Sequence, residues 1–169
     1  MGLDMYAYAI DARLVDDDDE IDVELFSIAR RAVGFTDLMD FELKKLDAKG
    51  REQYFDKRCE ADQKAADEGW IDPKFAYWRK FNALHGWMQQ LYYAKGGQGD
   101  FNCNTLRLTA SDLDNLSDAI ENGKLQPTSG FFFGSDEIDA DDIKAARWFV
   151  HQARAAIANG KAVFYDSWW

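Results

Sequence analysis

"YWRKFNALHGWM", Tyr77–Met88, decides how the middle of this chain folds. The stretch is rich in aromatic residues yet carries Arg79, Lys80 and His85. Just upstream, Asp72-Pro73 reads as a helix start, with Asp as N-cap and Pro at the first helical position. The spacing therefore predicts one long helix from about 73 to 93, closed by Gly96-Gly97. On a wheel of about 100° per residue, Trp78, Phe81, His85, Met88 and Tyr92 form a seam at 3,4,3,4 spacing. Tyr77, Leu84, Leu91 and Trp87 widen that seam. Arg79, Asn82, Gly86, Gln89 and Gln90 take the other half. His85 falls inside the apolar arc, and Lys80 beside it. Such a pair is read in one of two ways. The plain reading is a hydrogen-bonded core histidine and a lysine whose ammonium reaches the rim along its stem. The functional reading is a cavity with aromatic walls and a few placed polar heads, as small-molecule pockets have. Gly86 costs about 1 kcal/mol of helix propensity relative to Ala, which suggests that another element crosses there closely.

Outward from this segment, "LDMYAYAI" at 3–10 alternates and predicts a strand with two usable faces: Leu3, Met5, Ala7 and Ala9 on one, Asp4, Tyr6, Tyr8 and Ile10 on the other. "VDDDDEID" at 15–22 reads as a solvated acidic loop before a helix over 23–33. A weaker helical stretch follows at 37–47, and a polar surface helix or arm at 50–68. "NTLRLT" at 104–109 predicts a strand. Thr109 with Asp112 predicts a capped helix ending at Gly123. "LQPTSGFFFGSDE" at 125–137 reads as a loop and a short aromatic strand. A helix over 139–159 carries Ile143, Ala146, Val150, Ala153 and Ile157 on one stripe, and "AVFYDSWW" closes the chain as a strand. This order predicts an α+β fold: a small, mainly antiparallel sheet of three or four strands, with helices packed on one face.

The 169 residues suit a single domain over 1–169, and 47% hydrophobic content supplies a core without disulfides or metal. Thirty-one acidic against twenty basic residues give a net charge of −11, which disfavours direct nucleic-acid or anionic-membrane contact. No apolar run is long enough to span a bilayer, and the N-terminus has no basic, cleavable leader, so a cytoplasmic setting is expected. Cys59 and Cys103 have no CxxC spacing. Two His and no Cys/His cluster make a metal site unexpected, and no cofactor motif is present.

Ligand-binding candidates follow from the seam and two other segments. Arg79, Lys80 and His85 supply charge. Trp78, Phe132 and Tyr165 supply rings for stacking. Asn82, Ser129, Ser135 and Ser167 supply hydrogen bonds. No catalytic residue is assigned, although His85 as general base defines a hydrolase alternative. The two terminal Trp residues suggest a lid, a core plug or an interface between copies of the chain.

Several segments together resemble a family of small uncharacterised proteins found in phage and bacterial genomes. The matching parts are "MGLDMY" at 1–6, "YWRKFNALHGW" at 77–87, Cys103 with "LTASDLDNL" at 108–116, "LQPTSGFFFGSDE" at 125–137 and "FYDSWW" at 164–169. Residues 11–70 then look like an acidic helical insertion. Ile138-Asp139 departs from the family's usual Tyr-Asp, and Trp169 extends its usual Ser-Trp ending. The resemblance implies a compact fold and a phage or prophage setting, and no reaction. The expected function is non-enzymatic binding of a small nucleotide-like or other anionic ligand, with sequestration of a host signal as its use. The alternative is an acidic inhibitor of a host nucleic-acid-handling or defence protein.

Overall fold

The computed structural model describes residues 2–128 and 137–169. Strand β1 (Asp4–Asp11) leads through a short 3-10 turn to α1 (Leu25–Ala32), α2 (Asp40–Leu43) and α3 (Ala48–Asp67). Next come β2 (Ile71–Arg79), α4 (Asn82–Ala94), β3 (Leu106–Leu108), α5 (Ala110–Glu121), α6 (Ala140–Ala158) and β4 (Lys161–Trp168). The four strands form one antiparallel sheet in the order β2-β1-β4-β3. The expected α+β class and antiparallel sheet are both found.

The long central helix is not. Residues 71–79 pair with β1, and the helix begins only at Asn82. Asp72-Pro73 opens a strand because proline's fixed φ also suits an edge strand, where the missing N–H is not needed. The register steps from Ala7↔Ala76 to Ala9↔Asp72, so residues 73–75 bulge opposite Tyr8 alone. The Asp72 side chain accepts from the Lys74 N–H inside that bulge (2.9 Å), not from a helical turn. Lys80, at φ +61°, turns the chain out of the strand while its N–H donates to the Leu3 carbonyl (2.8 Å). Trp78 and Lys80 therefore do not belong to the helix that carries His85.

Alternation in β1 separates two cores. Leu3, Met5 and Ala7 join Trp78, Val163 and Tyr165 under α4, α5 and α6 in the main core. On the opposite face Ile10, Ala162 and Phe164 pack under Leu25 and Ala29 of α1 and Ala65 of α3 in a smaller one. Helices thus cover the whole of one face and also part of the other. The second layer is held by Arg30, whose guanidinium bonds Asp37 (2.8 Å) and Asp62 of α3 (2.7 Å). The acidic run is pinned as well. Arg107 N–H donates to the Glu20 carbonyl (2.7 Å) and Asp22 N–H to the Thr105 carbonyl (2.9 Å), so residues 20–22 cover the outer edge of β3. Thr109 and Asp112 form the expected capping box on α5, and Ala146, Val150 and Ala153 are the buried stripe of α6. The aromatic strand expected within 125–137 falls mostly outside the described residues. Among those described, no helix is long and apolar enough to cross a membrane.

Candidate functional site

Among the described residues, the sequence-derived candidates do not converge on one site. His85 is fully buried on α4. Its Nδ1 lies 2.9 Å from the Tyr165 hydroxyl, and its ring stacks on Phe101 at 5.6 Å between centroids. Burial lowers its pKa to about 4, so the imidazole is neutral and enclosed. Without access to a substrate, it lacks the position a general base requires. Tyr165 is equally buried, and Ser167 donates its hydroxyl to the Phe101 carbonyl (3.2 Å) in the same interior network. Asn82 is buried, and Trp78 packs edge-on against Phe149 in the main core (4.9 Å). Arg79 and Lys80 are exposed at the end of β2. Among the described residues Lys80 and His85 therefore share no chamber, because the strand-to-helix turn sends the two side chains to different places. Ser129, Phe132 and Ser135 lie outside the described residues.

Arg79 and Lys80 instead border the half of the second sheet face that no described helix covers. Cross-strand partners share a face, so register places Arg79, Asp4 and Trp168 in one row and Tyr77, Tyr6 and Asp166 in the next. The α1–α3 layer covers the far rows and stops short of these two, where Tyr77 is 55% exposed and Trp168 52% while Tyr6 and Asp166 are half-buried and Asp4 is buried. Aromatic rings run continuously across this surface. Tyr77 to Tyr6 is 5.4 Å between centroids, Tyr6 to Tyr8 is 6.3 Å with near-parallel planes, and Tyr8 to Phe26 is 5.3 Å edge-on. Asp4 anchors the outer end by accepting from the Tyr77 hydroxyl (2.7 Å) and pairing with Arg79 (3.5 Å). The Arg79 and Lys80 side chains both pass within 4 Å of where a Cβ on Gly2 would sit, so two cations meet at that corner.

The inner end of the aromatic run opens into a cleft of about 350 Å³. Tyr8, Phe26, Cys103, Asn104, Thr105 and Asp166 are among its walls. Burial pushes the Asp166 carboxyl up to about 6. Its Oδ1 accepts the Ser167 N–H (2.6 Å), and no other hydrogen bond reaches this carboxylate among the described residues. Cys103 is held at φ +59° by its N–H donating to the Ser167 carbonyl (2.7 Å). Burial, and then Asp166, raise the thiol's pKa, which keeps it protonated and unlike an activated nucleophile. Arg30 in the cleft wall is committed to Asp37 and Asp62. Among the described residues no group of His, Cys, Asp and Glu is arranged to hold a metal ion.

The sequence places neither Tyr6 nor Asp166 in a site, and it offers Tyr77 only as part of the aromatic seam and Trp168 only as part of a lid, plug or interface. Alternation in β1 already set Tyr6 and Tyr8 on one face. Their neighbours on β2 and β4 depend on strand pairing, for which a single sequence carries no signal. No family model, curated protein or solved structure matches the chain.

Proposed function

We propose that the protein is a non-enzymatic binder of a small, flat, anionic ligand of nucleotide-like character, seated on the open half of the sheet. One observation carries this reading: a continuous run of rings, Tyr77–Tyr6–Tyr8–Phe26, starts beside the paired cations Arg79 and Lys80 and ends in a cleft. Base–aromatic stacking is worth about 1–3 kcal/mol per base, and the cations would receive a phosphate or carboxylate. The net charge of −11 opposes approach of an anion. Screening over about 8 Å at physiological salt confines that opposition to nearby charges, where Lys80 stands beside Arg79 and its partner Asp4. In the phage setting that the resemblance implies, sequestering a host signalling nucleotide is the use this site would serve. The test is calorimetric titration of the full chain with purine and pyrimidine nucleotides, alongside Tyr77→Ala and Lys80→Ala. Binding that weakens in both variants supports the reading. No heat with any nucleotide removes it.

A second reading rests on a different observation. Residues 11–24 hold eight acidic side chains and one basic one, and they are clamped to the β3 edge with Asp16, Asp17 and Asp18 exposed. Such an edge suits a basic protein surface. The triple variant Asp16→Asn, Asp17→Asn, Asp18→Asn would abolish capture of such a partner and leave ligand binding on the sheet unchanged.

A further inference from the structure

We infer that the ligand's ring presents two adjacent N–H donors, as a guanine base does, and that Asp166 selects it. The inference rests on the reading of the open sheet face as a nucleotide-like site. Asp166 stands in the same cross-strand row as Tyr6 and Tyr77, next to the rings on which a base would lie. It also lines the cleft at the inner end of the run. A ring stacked there turns its edge toward this carboxylate.

The chemistry of that edge is restrictive. An ionised carboxylate only accepts hydrogen bonds, through two oxygens. One oxygen takes the Ser167 N–H, which leaves capacity on both for incoming donors. Guanine offers N1–H and the N2 amine side by side, the bidentate complement of a carboxylate. Adenine and cytosine offer one amine beside a bare ring nitrogen, which sets lone pair against lone pair. A site built to hydrogen-bond a donor rejects analogues that lack it far more strongly than an apolar slot does. Burial holds the carboxyl up near 6. At neutral pH it is therefore mostly ionised while bearing a desolvation penalty that paired donors would offset.

The spacing also suits a nucleotide. Asp166 and Tyr77 flank Tyr6 on the two neighbouring strands, and Arg79 lies two residues further along β2. Two strand spacings and two residues of rise put about 12 Å between the Cα positions of Asp166 and Arg79. Both cations lean toward Gly2, on the far side of Asp4 from Tyr6, which leaves the length of a base and its 5′-phosphate between them and Asp166.

Wild-type protein is titrated with GMP, IMP and AMP. IMP keeps N1–H and lacks the N2 amine, so the expected order is GMP, then IMP, then AMP, with at least about tenfold between the first and last. In Asp166→Asn, which relieves a buried charge and so should fold, GMP weakens by about tenfold or more and AMP keeps its affinity within about twofold. Equal wild-type affinity for GMP and AMP overturns the guanine assignment and leaves the general site intact. A GMP preference that persists in Asp166→Asn overturns the role of Asp166. If none of the three binds and other nucleotides do, the guanine assignment fails alone. If no nucleotide binds, the site reading fails and the assignment falls with it.

Discussion

The Nδ1 of His85 lies 2.9 Å from the hydroxyl of Tyr165 in the middle of the main core, with the Phe101 ring stacked on the imidazole. An imidazole held there resists protonation, and burial brings its pKa down to about 4. The unfolded chain takes up that proton near 6.5. Between about pH 6.5 and 4 the unfolded state therefore binds more protons, and stability falls with falling pH, by about 3 kcal/mol over the full interval. Asp166 has the opposite linkage. Its raised pKa means that stability falls as pH rises from its unfolded value to about 6.

A His85→Phe variant isolates the first contribution. At pH 7.5 it should lose about 1 kcal/mol, because the Tyr165 hydroxyl loses its bond to His85 and keeps the one with Ser167. From pH 6.5 downward its stability should decline less steeply than that of the wild type. Urea unfolding at half-unit pH steps measures both slopes. Parallel slopes would mean that the imidazole takes up its proton in the native state as readily as in the unfolded one.

Gly86 provides a second test. A Cβ added there would sit 3.0 Å from the Thr128 Cβ and 3.1 Å from the Gln126 carbonyl oxygen. Helix propensity alone favours alanine by about 1 kcal/mol. Overpacking against a crossing backbone costs about 1–3 kcal/mol. Gly86→Ala should therefore melt below the wild type, the reverse of the propensity ranking. A higher melting temperature would show that the 125–128 segment yields at little cost.

Arg30 joins three segments of the second layer. Its side chain is 3% exposed and binds both Asp37 and Asp62, while those two carboxylates keep some contact with water. Removing one partner of a buried ion pair costs about 3–5 kcal/mol. Partial exposure of the acids puts Arg30→Ala at the low end, about 3 kcal/mol. Amide hydrogen exchange should speed up across α1 and α3 far more than across α4 and α6. Uniform acceleration would mean that the second layer and the main core unfold as one unit.

The local features of this fold were legible wherever a short-range rule acted alone. Thr109 with Asp112 starts a helix because both reciprocal hydrogen bonds close within four residues. Alternation in 3–10 sets Met5 and Tyr6 on opposite faces whatever the strand pairs with. Gly86 correctly announced a close crossing. The segment 71–79 misled because Asp-Pro is compatible with a helix start and with a bulged edge strand. Its aromatic residues also suit a helical seam as well as a pleated surface. Only pairing with β1 decides between them, and that partner lies about seventy residues away in sequence.

The amino-acid sequence by itself determined the α+β class, the two-faced first strand, the Thr109–Asp112 helix cap and the acidic surplus, since each rests on local pattern or composition. Tertiary structure alone decided that Lys80 faces solvent while His85 is enclosed, and that Tyr6, Tyr77, Trp168 and Asp166 meet on one open face. The reason is strand register: it unites residues remote in sequence, and a slip of β2 or β4 by one position would send that strand's side chains to the opposite side of the sheet.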